Sequence, residues 1–199
     1  MLFRSITAVG GNVYSSVLNN GYSYMSGTSM ATPQMAGLSA AVSQYVCAKN
    51  SGLSKTQAYD VTEALLMSTA TPIKDAESYY SPRKQGAGLA NLTAATTSPA
   101  YLTVVGADAA TPKASMKDSV AGEWSFTFTV HNMTDKPLSY TLDAAALSAD
   151  IEGGYFLKHS TNYAGKGIDV TYSVANNTVN VDANGAADIT VTEIGRAHV

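Results

Sequence analysis

Tyr24-Met25-Ser26-Gly27-Thr28-Ser29-Met30-Ala31-Thr32-Pro33-Gln34-Met35-Ala36-Gly37 is the stretch on which the reading of the whole chain turns. Small residues precede Ser29 and a nearly uniform apolar run follows it, so the segment reads as a tight glycine turn that delivers a serine to the start of a helix. At a helix N-terminus the first backbone N–H groups have no intrahelical acceptor and the dipole is positive. An oxyanion forming beside Ser29 would therefore meet donors already aimed at it. Pro33 suits a first helical turn, where its missing N–H removes no bond. Ser29 is the candidate nucleophile, with its own backbone N–H as an oxyanion donor. Taken alone, the same residue also reads as a plain helix N-cap, a position that serine favours.

Outward from this stretch, Ile6 to Gly11 reads as a short strand running into a glycine turn, and Val13 to Val17 as a second extended piece. Asn19-Asn20-Gly21 is a turn, and Tyr22 to Ser26 an extended approach to the serine. The helix from about Ser29 to Ala48 is apolar on most sides, which predicts burial at the centre of a domain, with Cys47 as a small core hydrophobe. Gly52 ends that unit. Ser54 with Gln57 three residues on is a capping box for a second helix to about Ser68, its buried stripe traced by Ala58, Val61, Thr62, Leu65 and Leu66. Thr71-Pro72 stops it, and a polar loop spans Ser81 to Asn91.

Gly27-Thr28-Ser29-Met30-Ala31-Thr32-Pro33, with Ala36-Gly37 behind it, resembles the nucleophile motif of the subtilisin-like serine peptidases. Gln34 stands where many members carry histidine. Gly86-Ala87-Gly88-Leu89, followed by Ala94-Ala95, is similar to the glycine-rich turn and short helix that close the family's catalytic domain. The resemblance implies an α/β fold for residues 6–96, the C-terminal part of a three-layer domain, and hydrolysis of polypeptide substrates through an acyl-enzyme on Ser29. It also implies a triad in the chain order Asp, His, Ser, and Ser29 stands too early in the sequence for the other two to precede it. The expectation is a fragment inactive by itself, lacking the Asp, the His and the oxyanion asparagine.

Around Thr96-Thr97-Ser98-Pro99 the texture turns strand-like. Tyr101–Val105, Trp124–Val130, Leu138–Leu142, Ile168–Val174, Thr178–Val181 and Asp188–Val191 are short runs separated by Asn, Asp, Gly and Pro turns, which predicts an all-β sandwich over residues 100–192. Trp124, Phe126, Phe128 and Val130 share one face by period two and should be buried. The order resembles the fibronectin type III-like module that follows the catalytic domain in cell-envelope subtilisins, the lactocepin-like and complement-peptidase-like group. That resemblance implies a secreted or cell-surface protein attached to the envelope through further C-terminal modules.

With 45% hydrophobic and 14% charged residues the 199-residue chain is globular rather than disordered, and a net charge of −3 argues against a nucleic-acid partner. No apolar run is long enough to span a bilayer. One cysteine allows no internal disulfide. His131 and His159 read as surface or turn histidines, Asp143, Asp150 and Glu152 as solvated loop charges, and no metal cluster or cofactor motif is present, so no cofactor is expected. Ser81 and Lys84 have S-x-x-K spacing, but Pro82 sits where that motif needs a helical turn. Asn91, Asn132 and Asn176 begin glycosylation triplets. The ends, Met1–Ser5 and Glu193–Val199 with His198, are what translated sequencing-library adapters would encode, and are read as non-native. A non-enzymatic surface module, in which the sandwich binds a partner, is the alternative from another class. An α/β-hydrolase elbow at Gly27-x-Ser29 is disfavoured by Ala31 in place of its last glycine.

Overall fold

The computed structural model describes residues 5–75, 78–106, 112–114 and 122–195, so His198 and the outer ends of both termini lie outside the described residues. Strands β1 (Val13–Val17) and β2 (Gly21–Met25) pair antiparallel, Tyr14 opposite Tyr24. Leu18, Asn19 and Asn20 make the three-residue turn between them, with both asparagines at positive φ, because asparagine tolerates the left-handed region that such hairpins require. The expected strand over Ile6–Gly11 shrinks to one bridge, Thr7 to Leu89, where Thr7 N–H donates to the Gly88 carbonyl and the Thr7 carbonyl accepts from Ala90 N–H.

Helix α1 (Thr28–Lys49) follows, and then α2 (Lys55–Ser68), whose capping box forms in full: Gln57 N–H donates to Ser54 Oγ at 3.3 Å and Ser54 N–H to Gln57 Oε1 at 2.9 Å. Val42 and Val46 of α1 pack on Ala58, Leu65 and Leu66 of α2 and on Ala95 of α4 (Leu92–Thr97). Burying each valine or leucine there contributes about 1.5–3 kcal/mol.

Three expectations for α1 are corrected. The helix is not enclosed: Val42 and Val46 are its buried residues, while Ala36, Gly37 and Ala40 are exposed. Cys47 is exposed too. The described chain supplies packing partners for one face only, and a uniformly apolar sequence cannot announce which face that is. Pro33 is also one turn later than expected, in the second turn, where the N–H it lacks would have bonded the Ser29 carbonyl.

Beyond α2 come β3 (Lys74–Asp75), β4 (Ser78–Tyr80) and a one-turn α3 (Pro82–Gln85). The loop expected over Ser81–Asn91 is thus partly helical, with Pro82 at its first position, and two of its polar residues are buried, Ser81 at 2% and Gln85 at 4% exposure. Gln85 turns inward because loose backbone needs partners: Oε1 accepts from Ile73 N–H at 2.6 Å and Nε2 donates to the Tyr80 carbonyl at 2.6 Å. Gly88, at φ 124°, bends the chain against Thr71, whose carbonyl oxygen would lie 2.4 Å from any Cβ at that position.

The second half is antiparallel throughout. Strands β5 (Ala100–Val104), β6 (Glu123–Asn132), β10 (Ile168–Tyr172) and β12 (Ala186–Gly195) form a sheet in the order β10-β12-β6-β5, while β7 (Leu138–Thr141) pairs with β11 (Thr178–Val181). The two sheets share one core of Ala100, Val130, Ile189, Val179 and Val181. On β6 the expected alternation holds. Val130 is buried and Phe128 packs on the core, whereas Thr127 and Thr129 on the opposite face bond Thr190 and Asp188. Trp124 and Phe126 are half-buried rather than fully enclosed. Glu193 and Ile194, read as non-native from their codons, extend β12 against β10 and β6, a pairing that needs only backbone.

A hairpin absent from the sequence reading, β8 (Leu147–Glu152) with β9 (Tyr155–Asn162), stands apart from these two sheets and pairs through β9 with β4, giving a sheet β3-β4-β9-β8 that joins the two halves. Asp150 and Glu152 therefore lie in a strand, Asp150 accepting from Thr161, rather than in a loop. A second junction runs along β5, where Leu102 N–H donates to Ser68 Oγ and Tyr101 packs on the helical core.

Candidate active site

Ser29 is the second residue of α1 and is exposed. Its position follows from the turn before it. Gly27 N–H donates to the Gly10 carbonyl at 2.7 Å, and Asn12 N–H to Ser26 Oγ at 2.8 Å, tying the end of β2 to the glycine turn at residues 10–11. Gly10 admits no side chain there, because a Cβ would stand 2.7 Å from the Gly27 carbonyl oxygen. Met30 N–H closes a tight first turn on the Gly27 carbonyl. Among the described residues no hydrogen bond takes up the N–H of Ser29, so that donor is available at a positive helix end. Ser29 Oγ does not act as a cap, since the N-cap is Gly27 and makes no side-chain bond. This geometry can stabilise a developing oxyanion; it cannot take a proton from the serine.

Neither described histidine is placed to do so. His131 lies in β6, stacked on Tyr101 with ring centroids 4.6 Å apart, its Nε2 2.8 Å from Thr103 Oγ1. Burial holds its imidazole below the ordinary histidine pKa, against a smaller upward pull from Asp188. It is a half-buried strand residue at the junction of the halves, not the surface or turn histidine expected. His159, in β9, pairs with Asp75 at 3.3 Å and leans on Tyr80. No hydrogen bond joins either to Ser29. Ser81, of the S-x-x-K spacing, is too enclosed to meet a substrate, although the helical turn after it does form.

The hairpin leading into the site carries a feature beyond the serine motif. Tyr14, Tyr22 and Tyr24 share one face, their rings 5.7 Å (Tyr14 to Tyr22) and 4.8 Å (Tyr14 to Tyr24) apart, and each is 60–65% exposed. The alternation of Tyr22 with Tyr24 is the sequence signal that could have found this face; Tyr14 joins it only through the hairpin register.

Comparison with known proteins gives the family. Residues 4–88 match the model of the subtilase family of peptidases. The chain is 30% identical over 188 residues, 94% of its length, to a C5a peptidase of Streptococcus pyogenes. It is 37% identical over 150 residues, 70% of its length, to the PI-type and PII-type proteinases of Lactococcus lactis subsp. cremoris. It spans only 15% of the first of these proteins and 8% of the others. The segment that contains the β1–β2 hairpin, Ser29 and the Gly88 turn, residues 4–88, thus belongs to the subtilase family.

Proposed function

We propose that this chain is the nucleophile-bearing part of a secreted or cell-surface serine endopeptidase, in which Ser29 attacks the carbonyl of a polypeptide and its backbone N–H helps hold the oxyanion. The observation that carries the reading is an exposed serine with an unengaged N–H at the start of α1, inside a segment that matches the subtilases. In the acylation step Oγ forms the ester bond to the acyl carbon while a base takes its proton and returns it to the departing amine. That base is a histidine contributed by sequence beyond these 199 residues, oriented by an aspartate from the same region. Residues 6–96 form the C-terminal part of the catalytic domain and residues 100–192 a fibronectin type III-like sandwich behind it. The shared core between the two sheets supports the second assignment.

By itself the chain has no measurable peptidase activity, because a serine hydroxyl without its base is a weak nucleophile. Loss of the histidine alone costs a subtilisin roughly 2 × 10⁶ in kcat. The test compares casein hydrolysis by these 199 residues and by the natural gene product that contains them, each beside its Ser29→Ala variant. Turnover in the gene product that vanishes with Ser29→Ala supports the proposal. Activity of the gene product that survives the substitution overturns it, and Ser29-dependent turnover by the 199-residue chain would mean that a base lies within it.

A further inference from the structure

No Asp, Glu, Lys, Arg or His stands anywhere between Ser5 and Ala48, so the segment that carries the β1–β2 hairpin and Ser29 presents an uncharged surface of its own. On that surface the β1–β2 hairpin exposes three aromatic rings on one face, where isolated surface aromatics would be unremarkable but a contiguous set of rings in contact marks an interaction site. The set is pre-organised: Tyr14 and Tyr24 are directly opposed across the ladder, and the asparagine turn fixes the register. Tyrosine loses little rotamer freedom on binding and offers a ring face together with a hydroxyl. Continuity with the serine supplies the choice of occupant. Tyr24 precedes Ser29 by five residues, so at about 3.3 Å per extended residue its Cα lies within ~17 Å of that of Ser29, with Tyr14 opposite it across the ladder. An extended polypeptide with its scissile carbonyl at Ser29 needs only about five residues to reach them.

We propose that the Tyr14–Tyr22–Tyr24 face is a specificity-determining surface of the Ser29 centre, selecting substrates that carry uncharged apolar or aromatic side chains within a few residues of the scissile bond. The inference rests on Ser29 being the nucleophile. An uncharged surface gives no Coulombic reward to a charged substrate residue and would strip it of water, whereas an apolar or aromatic side chain gains contact with the rings. Each ring is expected to change kcat/KM about threefold to tenfold for substrates that reach it, the scale of one aromatic contact.

The test uses the natural gene product that contains this chain, with the triple variant Tyr14→Ser/Tyr22→Ser/Tyr24→Ser and the matching Tyr→Phe triple, which keeps the rings. Three readouts are taken: labelling of Ser29 by a small fluorophosphonate, the cleavage profile over a peptide library, and nitration of the three tyrosines by tetranitromethane without substrate. Expected are unchanged labelling in all forms, loss of the preference for apolar and aromatic residues in the serine triple, retention of that preference in the phenylalanine triple, and nitration that a competing peptide suppresses. Equal labelling with an unchanged cleavage profile overturns the inference while leaving Ser29 as nucleophile. Tyrosines that resist nitration in the free protein overturn it as well, since another part of the protein then covers the face. Binding of a neutral oligosaccharide to the face, with the profile unaltered, overturns it in favour of a glycan site. Absence of Ser29 labelling in the parent overturns the nucleophile assignment, and the inference with it.

Discussion

Replacing Gln85 by leucine tests whether the segment closing the subtilase part is held by one buried amide. The side chain is 4% exposed and makes a short bond at each end, accepting from Ile73 N–H and donating to the Tyr80 carbonyl, both at 2.6 Å, with a longer contact to the Ile73 carbonyl at 3.4 Å. Leucine occupies nearly the same volume, so the cavity term is small, and the cost comes from desolvated backbone groups that lose this partner. At about 1–3 kcal/mol for a desolvated group left unmatched, the Ile73 N–H alone gives a loss of about 1–3 kcal/mol. The neighbourhood transmits it, because the Gln85 carbonyl accepts from Thr7 Oγ1 and β4, whose last residue is Tyr80, pairs with β9. Urea unfolding followed by far-ultraviolet circular dichroism gives the free-energy change, and hydrogen exchange at the Ile73 amide locates it. A loss below about 1 kcal/mol with normal protection at Ile73 would refute the reasoning, since water or another group would then be satisfying the same atoms.

Gly88→Ala forces a Cβ to within 2.4 Å of the Thr71 carbonyl oxygen at φ 124°, and the resulting backbone shift strains the bonds that tie Thr7, Thr71 and Leu89 together; a loss of about 3 kcal/mol or more is expected on denaturant unfolding, and wild-type stability would contradict the packing. For His131, whose folded pKa lies below the ordinary value through burial, the unfolded chain takes up the proton first as pH falls. Its contribution is therefore complete above about pH 6.5 and is lost as pH drops through that value toward the folded pKa. Thr103, Tyr101 and Asp188 are the groups facing it, and His131→Gln should flatten the decline in urea midpoint between pH 7.5 and 5.5; an equal decline in both proteins would count against the assignment. Expression in a glycosylating host should place glycans on Asn91 and Asn176 but leave Asn132 bare once folded, because Asn132 is 5% exposed and its amide donates to the carbonyls of Lys136 and Asp182. Peptide mass spectrometry that finds a glycan on Asn132 of the folded protein would overturn its burial.

Local chemistry made much of this protein legible before any coordinates. The Ser54–Gln57 capping box starts α2 where the spacing says it should, the asparagine pair turns β1 into β2, and period-two alternation places Val130 inward, because each depends on neighbours a few residues away. The position of Ser29 in the first turn of α1 belongs to the same class. What tertiary structure decided are the matters that depend on distant partners. Gln85 and Asn132 are polar side chains that are buried, since their hydrogen-bond groups meet backbone that arrives from elsewhere in the chain, as far as Val181 and Asp182 for Asn132. Strand β9 crosses from the second half to pair with β4, and no local signal encodes which edge a hairpin will find. Helix α1 carries apolar residues around most of its circumference, so sequence fixed its existence but not its buried side; packing on α2 and α4 selected Val42 and Val46 and left Ala36, Ala40 and Cys47 facing outward.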